Sequence, residues 1–208
     1  MFGVNNMNII TESQGQFGAN CYMVSTAEAA LLIDVFALTE KVREFIKDNE
    51  GKQMLILATH RHFDHVAGIY DAHLLSGAAV GIGALDACGL ESREDSLSTM
   101  FAVEQTEFTP HYLFSDGDVI NIGDIAVRVI HTPGHTEGSV CYLVANVIFS
   151  GDTLFKQSVG RTDLPTGNRQ AQKESLNKLF ALPDDYTVYP GHDAPTTLFY
   201  ERSYNPYI

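Results

Sequence analysis

Between Thr59 and His65 the chain reads Thr-His-Arg-His-Phe-Asp-His, which places three histidines and an aspartate within six residues. Imidazole nitrogen and carboxylate oxygen together suit zinc, iron or manganese. His60 and His62 stand two apart, so in an extended loop both side chains turn to the same side. Asp64 and His65 fall where the chain should enter a helix and can point to a second, neighbouring position. Such a density of ligand-type residues seldom has a purely structural origin, so the segment reads as a metal site.

Three further places extend the set. His131-Thr132-Pro133-Gly134-His135-Thr136 follows an apolar strand, and its Pro-Gly turn fixes the backbone that presents His135. Ser150-Gly151-Asp152-Thr153 and Pro190-Gly191-His192-Asp193 likewise end strands. One His or Asp after a strand is ordinarily a turn or cap residue; the recurrence at successive strand ends joins them to the first motif. His73 and His111 read as surface or partly buried residues, and His131 as either structural or a support for His135.

The motifs H-x-H-x-D-H, H-T-P-G-H-T, G-D-T-L-F and P-G-H, spread over residues 59 to 192, resemble those of the metallo-β-lactamase superfamily. The resemblance implies one metal on His60, His62 and His135 and a second on Asp64, His65 and His192, with Asp152 bridging. It implies catalytic roles for Asp64 and Asp152, and places Asp34 where the family supports its metal ligands by hydrogen bonding. His131 matches a position that is not a ligand. Two divalent ions are expected, zinc first, with iron and manganese also suited to these donors. Such a pair brings a shared water towards neutral pKa and yields a hydroxide nucleophile for thioesters, lactones, amides or phosphodiesters.

Branches of the family differ at single positions. Zinc β-lactamases lack a bridging aspartate at the place of Asp152, and flavodiiron proteins carry Glu in place of His62. Nuclease branches add domains or basic arms. Gly151 to Phe155, followed by Gly160-Arg161-Thr162-Asp163-Leu164-Pro165, resembles short type II glyoxalase-like hydrolases. Arg161 falls where full-length type II glyoxalases bind glutathione with a lysine, so it is the expected substrate-binding cation. Asp163 and Ala194 replace tyrosines of those enzymes, and the C-terminal helical domain that completes their thiol site is not expected here. The expected function is thioester hydrolysis by a hydroxide held between two metals. The alternatives are a mono-iron persulfide dioxygenase using His60, His135 and Asp152, a lactonase, and a metal-binding protein without catalysis.

The elements that must position these residues follow from apolar patterning. Residues 7–12, 19–25 and 28–35 read as strands, 39–49 as a helix capped by Thr39, and 54–59 as a strand covered on both faces. A helix is expected from about Val66 to His73, and 78–110 reads as a helical or mobile excursion. Strands return at 118–122, 125–132, 139–145 and 146–150, with a hairpin turn at Ala145-Asn146. A helix over 169–181 and a strand over 186–190 complete the pattern. Strands followed by a helix, twice over, predict an α/β four-layer αββα sandwich of two mixed sheets flanked by helices, in one domain over 1–208.

Bulk properties narrow the partners. A formal charge of -13, with only 13 scattered Lys and Arg, argues against nucleic acid and leaves a small molecule as the expected substrate. There is no apolar run of spanning length, so no membrane partner is expected. Met1 to Ile10 carries no basic segment before an apolar core, so no secretory signal is expected. Cys21, Cys88 and Cys141 are far apart and form no ligand or disulfide pattern, which favours a reducing cytoplasm and buried, inert thiols. Oligomeric state is not written in these features.

Overall fold

The apolar runs at the start of the chain become β1 (Asn8–Gln14), β2 (Ala19–Ser25) and β3 (Ala29–Ile33), paired antiparallel in order. The structure, a computed structural model, describes residues 7–208; residues 1–6, the first part of the Met1–Ile10 stretch read above, lie outside the described residues. Helix α1 (Glu40–Asp48) begins at Thr39, whose hydroxyl accepts the Val42 N–H at 3.2 Å and satisfies a donor that the first turn leaves free. Its buried face is Val42, Phe45 and Ile46. Strand β4 (Gln53–Ala58) runs parallel to β3 with both faces covered.

One helix expected after the first motif is instead two, α2 (Phe63–Val66) and α3 (Ile69–Ser76). Gly68 causes the break. A Cβ there would lie 2.8 Å from the Ala37 backbone, and the Gly68 N–H bonds the Val35 carbonyl at 2.9 Å. The chain is thus pinned against the end of β3 before the second helix starts.

The excursion over 78–110 contains more order than its sequence predicts. Strand β5 (Ala79–Gly83) adds parallel to β4, followed by a 3-10 turn at Ala84–Asp86 and α4 (Cys88–Glu91). Strand β6 (Tyr112–Phe114) then closes the first sheet beside β5. Next come β7 (Val119–Ile122), β8 (Ile125–His131), β9 (Val140–Val144) and β10 (Val147–Gly151), an antiparallel run. Ala145 takes a positive φ of 51° in the predicted hairpin turn. After a small hairpin, β11 (Leu154–Phe155) with β12 (Ser158–Val159), the chain forms α5 (Arg169–Phe180), β13 (Thr187–Pro190), β14 (Thr196–Thr197) and α6 (Leu198–Tyr204).

The sheets run β1-β2-β3-β4-β5-β6 and β14-β13-β10-β9-β8-β7. Between them lies a core of Tyr22, Leu31, Ile33, Leu55, Leu57, Val127, Val129, Tyr142 and Phe149. The outer face of the first sheet, including Leu32, Ile56 and Val80, packs on α1 and α3. The outer face of the second, including Cys141, Ile148 and Val188, packs on Leu176 and Leu179 of α5. Adjacent residues of β4 therefore serve different cores, and burying each such Leu or Ile contributes about 1.5–3 kcal/mol. Four layers result, helices, sheet, sheet, helices, as the sequence pattern predicts.

This topology gathers strand ends. β3 and β4 are parallel, β10 and β13 are parallel, and β8 runs the same way as β10 because each is antiparallel to β9. The segments that follow these strands carry Asp34, the first motif, His135, Asp152 and His192, and they meet at one edge of the sandwich.

Candidate metal centre

Side chains from five segments converge there. His60, His62 and His135 offer nitrogen atoms within 4.8 Å of one another; Asp64, His65 and His192 form a second such group, and His60, His65 and Asp152 a third that joins the two. Asp152 stands between them. Its Oδ2 lies 3.4 Å from His135 Nε2 and 3.6 Å from His192 Nε2, and its Oδ1 lies 3.4 Å from His65 Nε2.

Four of the five rings are turned by a hydrogen bond on the far side. His135 Nδ1 bonds the Arg161 carbonyl at 2.7 Å, His192 Nδ1 the Phe17 carbonyl at 3.1 Å, and His65 Nδ1 the Asp34 carboxylate at 2.9 Å. Thr59 donates its hydroxyl to Asp34 at 2.8 Å, so that same oxygen accepts from His60 Nδ1 at 3.1 Å. These bonds set the Nε2 lone pairs of all four rings towards the cluster.

The donor set fits cations. His60 Nε2 and Asp152 Oδ1 are buried with no hydrogen-bond partner, a costly arrangement for polar atoms unless something charged meets them. His62 Nδ1 and His135 Nε2 stand 2.8 Å apart, and two nitrogen lone pairs at that distance need a proton or a metal between them. Burial and neighbouring histidines hold His60 far below the usual imidazole range and His62 at about 2, so both offer neutral nitrogen. Burial opposes charge on His65, yet Asp64, Asp34 and Asp152 around it raise its pKa to about 10. Burial raises the Asp64 carboxyl, but His65 and His192 outweigh it and keep it ionised. Three carboxylates around one imidazole provide negative charge that a cation would neutralise.

Two of the glycines at the site show why no side chain fits there. Gly151 has φ of 48°, and a Cβ there would meet the Thr59 hydroxyl at 2.3 Å. At Gly191 a Cβ would strike Asp152 Oδ1 at 2.1 Å, so a side chain would displace the carboxylate that joins the clusters.

Other expected residues lie elsewhere. Arg161 is exposed at the rim, near enough for its carbonyl to hold His135, while its guanidinium pairs with Asp163 at 2.6 and 2.8 Å. His131 turns away and bonds the Glu137 carbonyl at 2.9 Å. His73 bonds the Ala78 carbonyl and His111 accepts the Val80 N–H. Cys21 and Cys141 are buried and Cys88 half-buried, all as free thiols.

Sequence reasoning missed Asp86. It is fully buried and accepts the Arg61 N–H at 3.0 Å, the Thr136 hydroxyl at 2.6 Å and the Gly138 N–H at 3.1 Å. This one carboxylate ties the first motif to the loop carrying His135. The Arg61 side chain joins it from inside the motif, with Asp86 Oδ1 at 3.5 Å and Cys88 Sγ at 3.0 Å.

The sequence pattern of the Metallo-beta-lactamase superfamily matches residues 14–192, a span that includes every side chain of the cluster. The chain belongs to this superfamily. Among its superfamily relatives, a protein of Aquifex aeolicus is 38% identical, with 93% of each chain covered. A probable metallo-hydrolase of Bacillus subtilis, YqgX, is 31% identical over 93% of this chain and 94% of its own. Glyoxylase B2 of Dictyostelium discoideum is 34% identical over 81% of this chain and 62% of its own. Of solved structures, the BLEG-1 B3 metallo-beta-lactamase superposes with a TM-score of 0.88 at 30% identity, covering 96% of this chain and 99% of that one. TTHA1623, in a di-iron-bound form, gives 0.84 at 32%, covering 96% and 100%. No helix among the described residues is long and apolar enough to cross a membrane.

Proposed function

We propose that this superfamily member is a dinuclear metal hydrolase of small acyl substrates, with thioesters as the substrate class. The carrying observation is Asp152, whose two oxygens face histidines of both donor groups. His60, His62 and His135 would hold one ion, Asp64, His65 and His192 the other, and Asp152 both. Bound there, a pair of divalent ions supplies hydroxide at neutral pH and polarises the carbonyl oxygen.

The chain's own groups do the rest. Hydrolysis adds the oxygen of water to the acyl carbon and breaks the C–S bond; the thiolate leaves and takes up a proton. Asp64, ionised and open to solvent on one side, would orient that water, whose proton passes to the departing thiolate. Arg161 supplies a cation at the rim for an anionic thiol portion, shared with Asp163. Similarity to Glyoxylase B2 supports the thioester reading, and the di-iron form of TTHA1623 supports iron beside zinc and manganese. Free thiols fit a reducing cytoplasm.

The second group of donors, Asp64, His65 and His192, favours this reading over a mono-iron dioxygenase, which needs only His60, His135 and Asp152. A second reading, β-lactam hydrolysis, draws on the likeness to BLEG-1. Turnover of a thioester panel and of nitrocefin by metal-loaded protein, with and without chelator, tests both. Chelator-sensitive thioester cleavage without nitrocefin cleavage is expected; the reverse would replace the proposal.

A further inference from the structure

The cluster opens on one side. Its four other histidines are buried, whereas His192 is 21% and Asp64 14% exposed, so a substrate arrives past these two. Phenylalanines flank both. Phe63 precedes Asp64, and the Phe17 carbonyl holds the His192 ring.

The rings of Phe17 and Phe63 meet edge-on, with centroids 5.2 Å apart. Phe101 stacks on Phe63 at 4.7 Å and meets Phe17 at 5.4 Å. Phe155 reaches His192 edge-on at 5.9 Å. The trio comes from three separate segments: the β1–β2 turn, the start of α2, and the irregular stretch after α4. The Phe63 N–H bonds the Ser96 carbonyl at 2.9 Å and fastens that stretch to the metal motif. Phe17 and Phe101 remain 39% and 38% exposed, with Met100 next in the chain exposed as well. Phe17 and Phe101, backed by the buried Phe63 ring and left facing water beside a polar site, mark a surface for an apolar ligand.

We propose that Phe17, Phe63 and Phe101 form the wall that receives the acyl group, and that the favoured acyl group is apolar, a medium-length alkyl or an aryl chain rather than a short hydroxylated one. This rests on the thioester hydrolase reading. The trio offers no side-chain hydrogen-bond partner to a hydroxyl, whereas each methylene laid on it leaves water.

The test uses metal-loaded protein and N-acetylcysteamine thioesters carrying lactoyl, acetyl, butanoyl, hexanoyl, octanoyl and phenylacetyl groups. kcat/KM is expected to rise about two- to fourfold per methylene until the wall is covered, with lactoyl below butanoyl. Phe101→Ala should flatten that slope and Phe101→Leu should restore most of it. Calorimetric titration with hexanoate against acetate reads the wall without turnover and should show the same preference. A flat series in the native protein together with equal binding of the two acids, or an unchanged slope in Phe101→Ala, overturns the wall. Preferential hexanoate binding without cleavage of any thioester would leave the wall standing and overturn the thioester reading instead.

Discussion

Asp34 Oδ2 lies 2.9 Å from His65 Nδ1, while the other oxygen of the same carboxylate accepts the Thr59 N–H at 2.7 Å. Asp34 adopts a positive φ of 56°, a conformation non-glycine residues hold only when surroundings enforce it. The end of β3 thus orients a ring of the first motif and fastens the end of β4. Asp34→Asn keeps the volume but removes the charge, and should weaken metal affinity about 10- to 100-fold. Competition with a chromophoric chelator measures this; unchanged affinity would remove Asp34 from the site's support.

Asp86 should matter to stability. Asp86→Ala removes the buried carboxylate beside the Arg61 guanidinium and the acceptor of two N–H groups and the Thr136 hydroxyl, which costs about 3–5 kcal/mol. For a chain of this length that corresponds to a Tm drop of roughly 6–20 °C. A loss under about 2 °C would show that Arg61 finds other partners.

Asp116 provides a pH-dependent contribution. Its slight burial raises the carboxyl, but the Lys178 ammonium at 2.6 Å and the His131 N–H at 2.9 Å outweigh this and lower its pKa. A depressed folded value means stability that is present above the unfolded pKa of about 3.9 and is lost as pH falls through the lower folded value. Because the pair is largely exposed, Asp116→Asn should cost only about 0.5–1 kcal/mol at pH 7. The difference in thermal stability between variant and native protein should close as pH falls below the lowered value of this carboxyl. A gap that persists there would assign the effect to something other than charge.

Under the proposed function, Arg161 and Asp163 would tune binding rather than chemistry. A cation at the rim attracts an anionic substrate equally in its ground and transition states, so Arg161→Ala should raise KM about two- to fivefold and lower kcat less. Asp163→Asn frees the guanidinium and should lower KM for the same substrate. Steady-state kinetics at low salt reads both; equal losses in kcat and KM for Arg161→Ala would bring Arg161 to the reacting atoms.

Much of this was legible in the sequence because the ligand-type residues follow apolar strands whose pattern is unambiguous, as at Leu55 to Ala58 before His60. Local spacing also predicted helices over the spans of α1 and α5. What stayed hidden depends on contacts distant in the chain. Strands β5 and β6 are short and Gly-bearing, and exist through pairing with β4 and with each other. The break between α2 and α3 comes from Gly68 meeting Ala37. Asp86 carries no motif of its own, since its three partners are residues 61, 136 and 138. Phe17, Phe63 and Phe101 likewise become a group only when three loops meet.

The proposed dinuclear centre depends on Asp152 joining the two donor groups. Metal content per chain, measured on native protein and on Asp152→Ala reconstituted with excess zinc, iron or manganese, tests it most directly, with circular dichroism confirming that both are folded. The native protein should retain two ions of one of these metals, and the variant at most one, with thioester hydrolysis lower by at least roughly a hundredfold. Two ions and undiminished hydrolysis in Asp152→Ala would contradict the account.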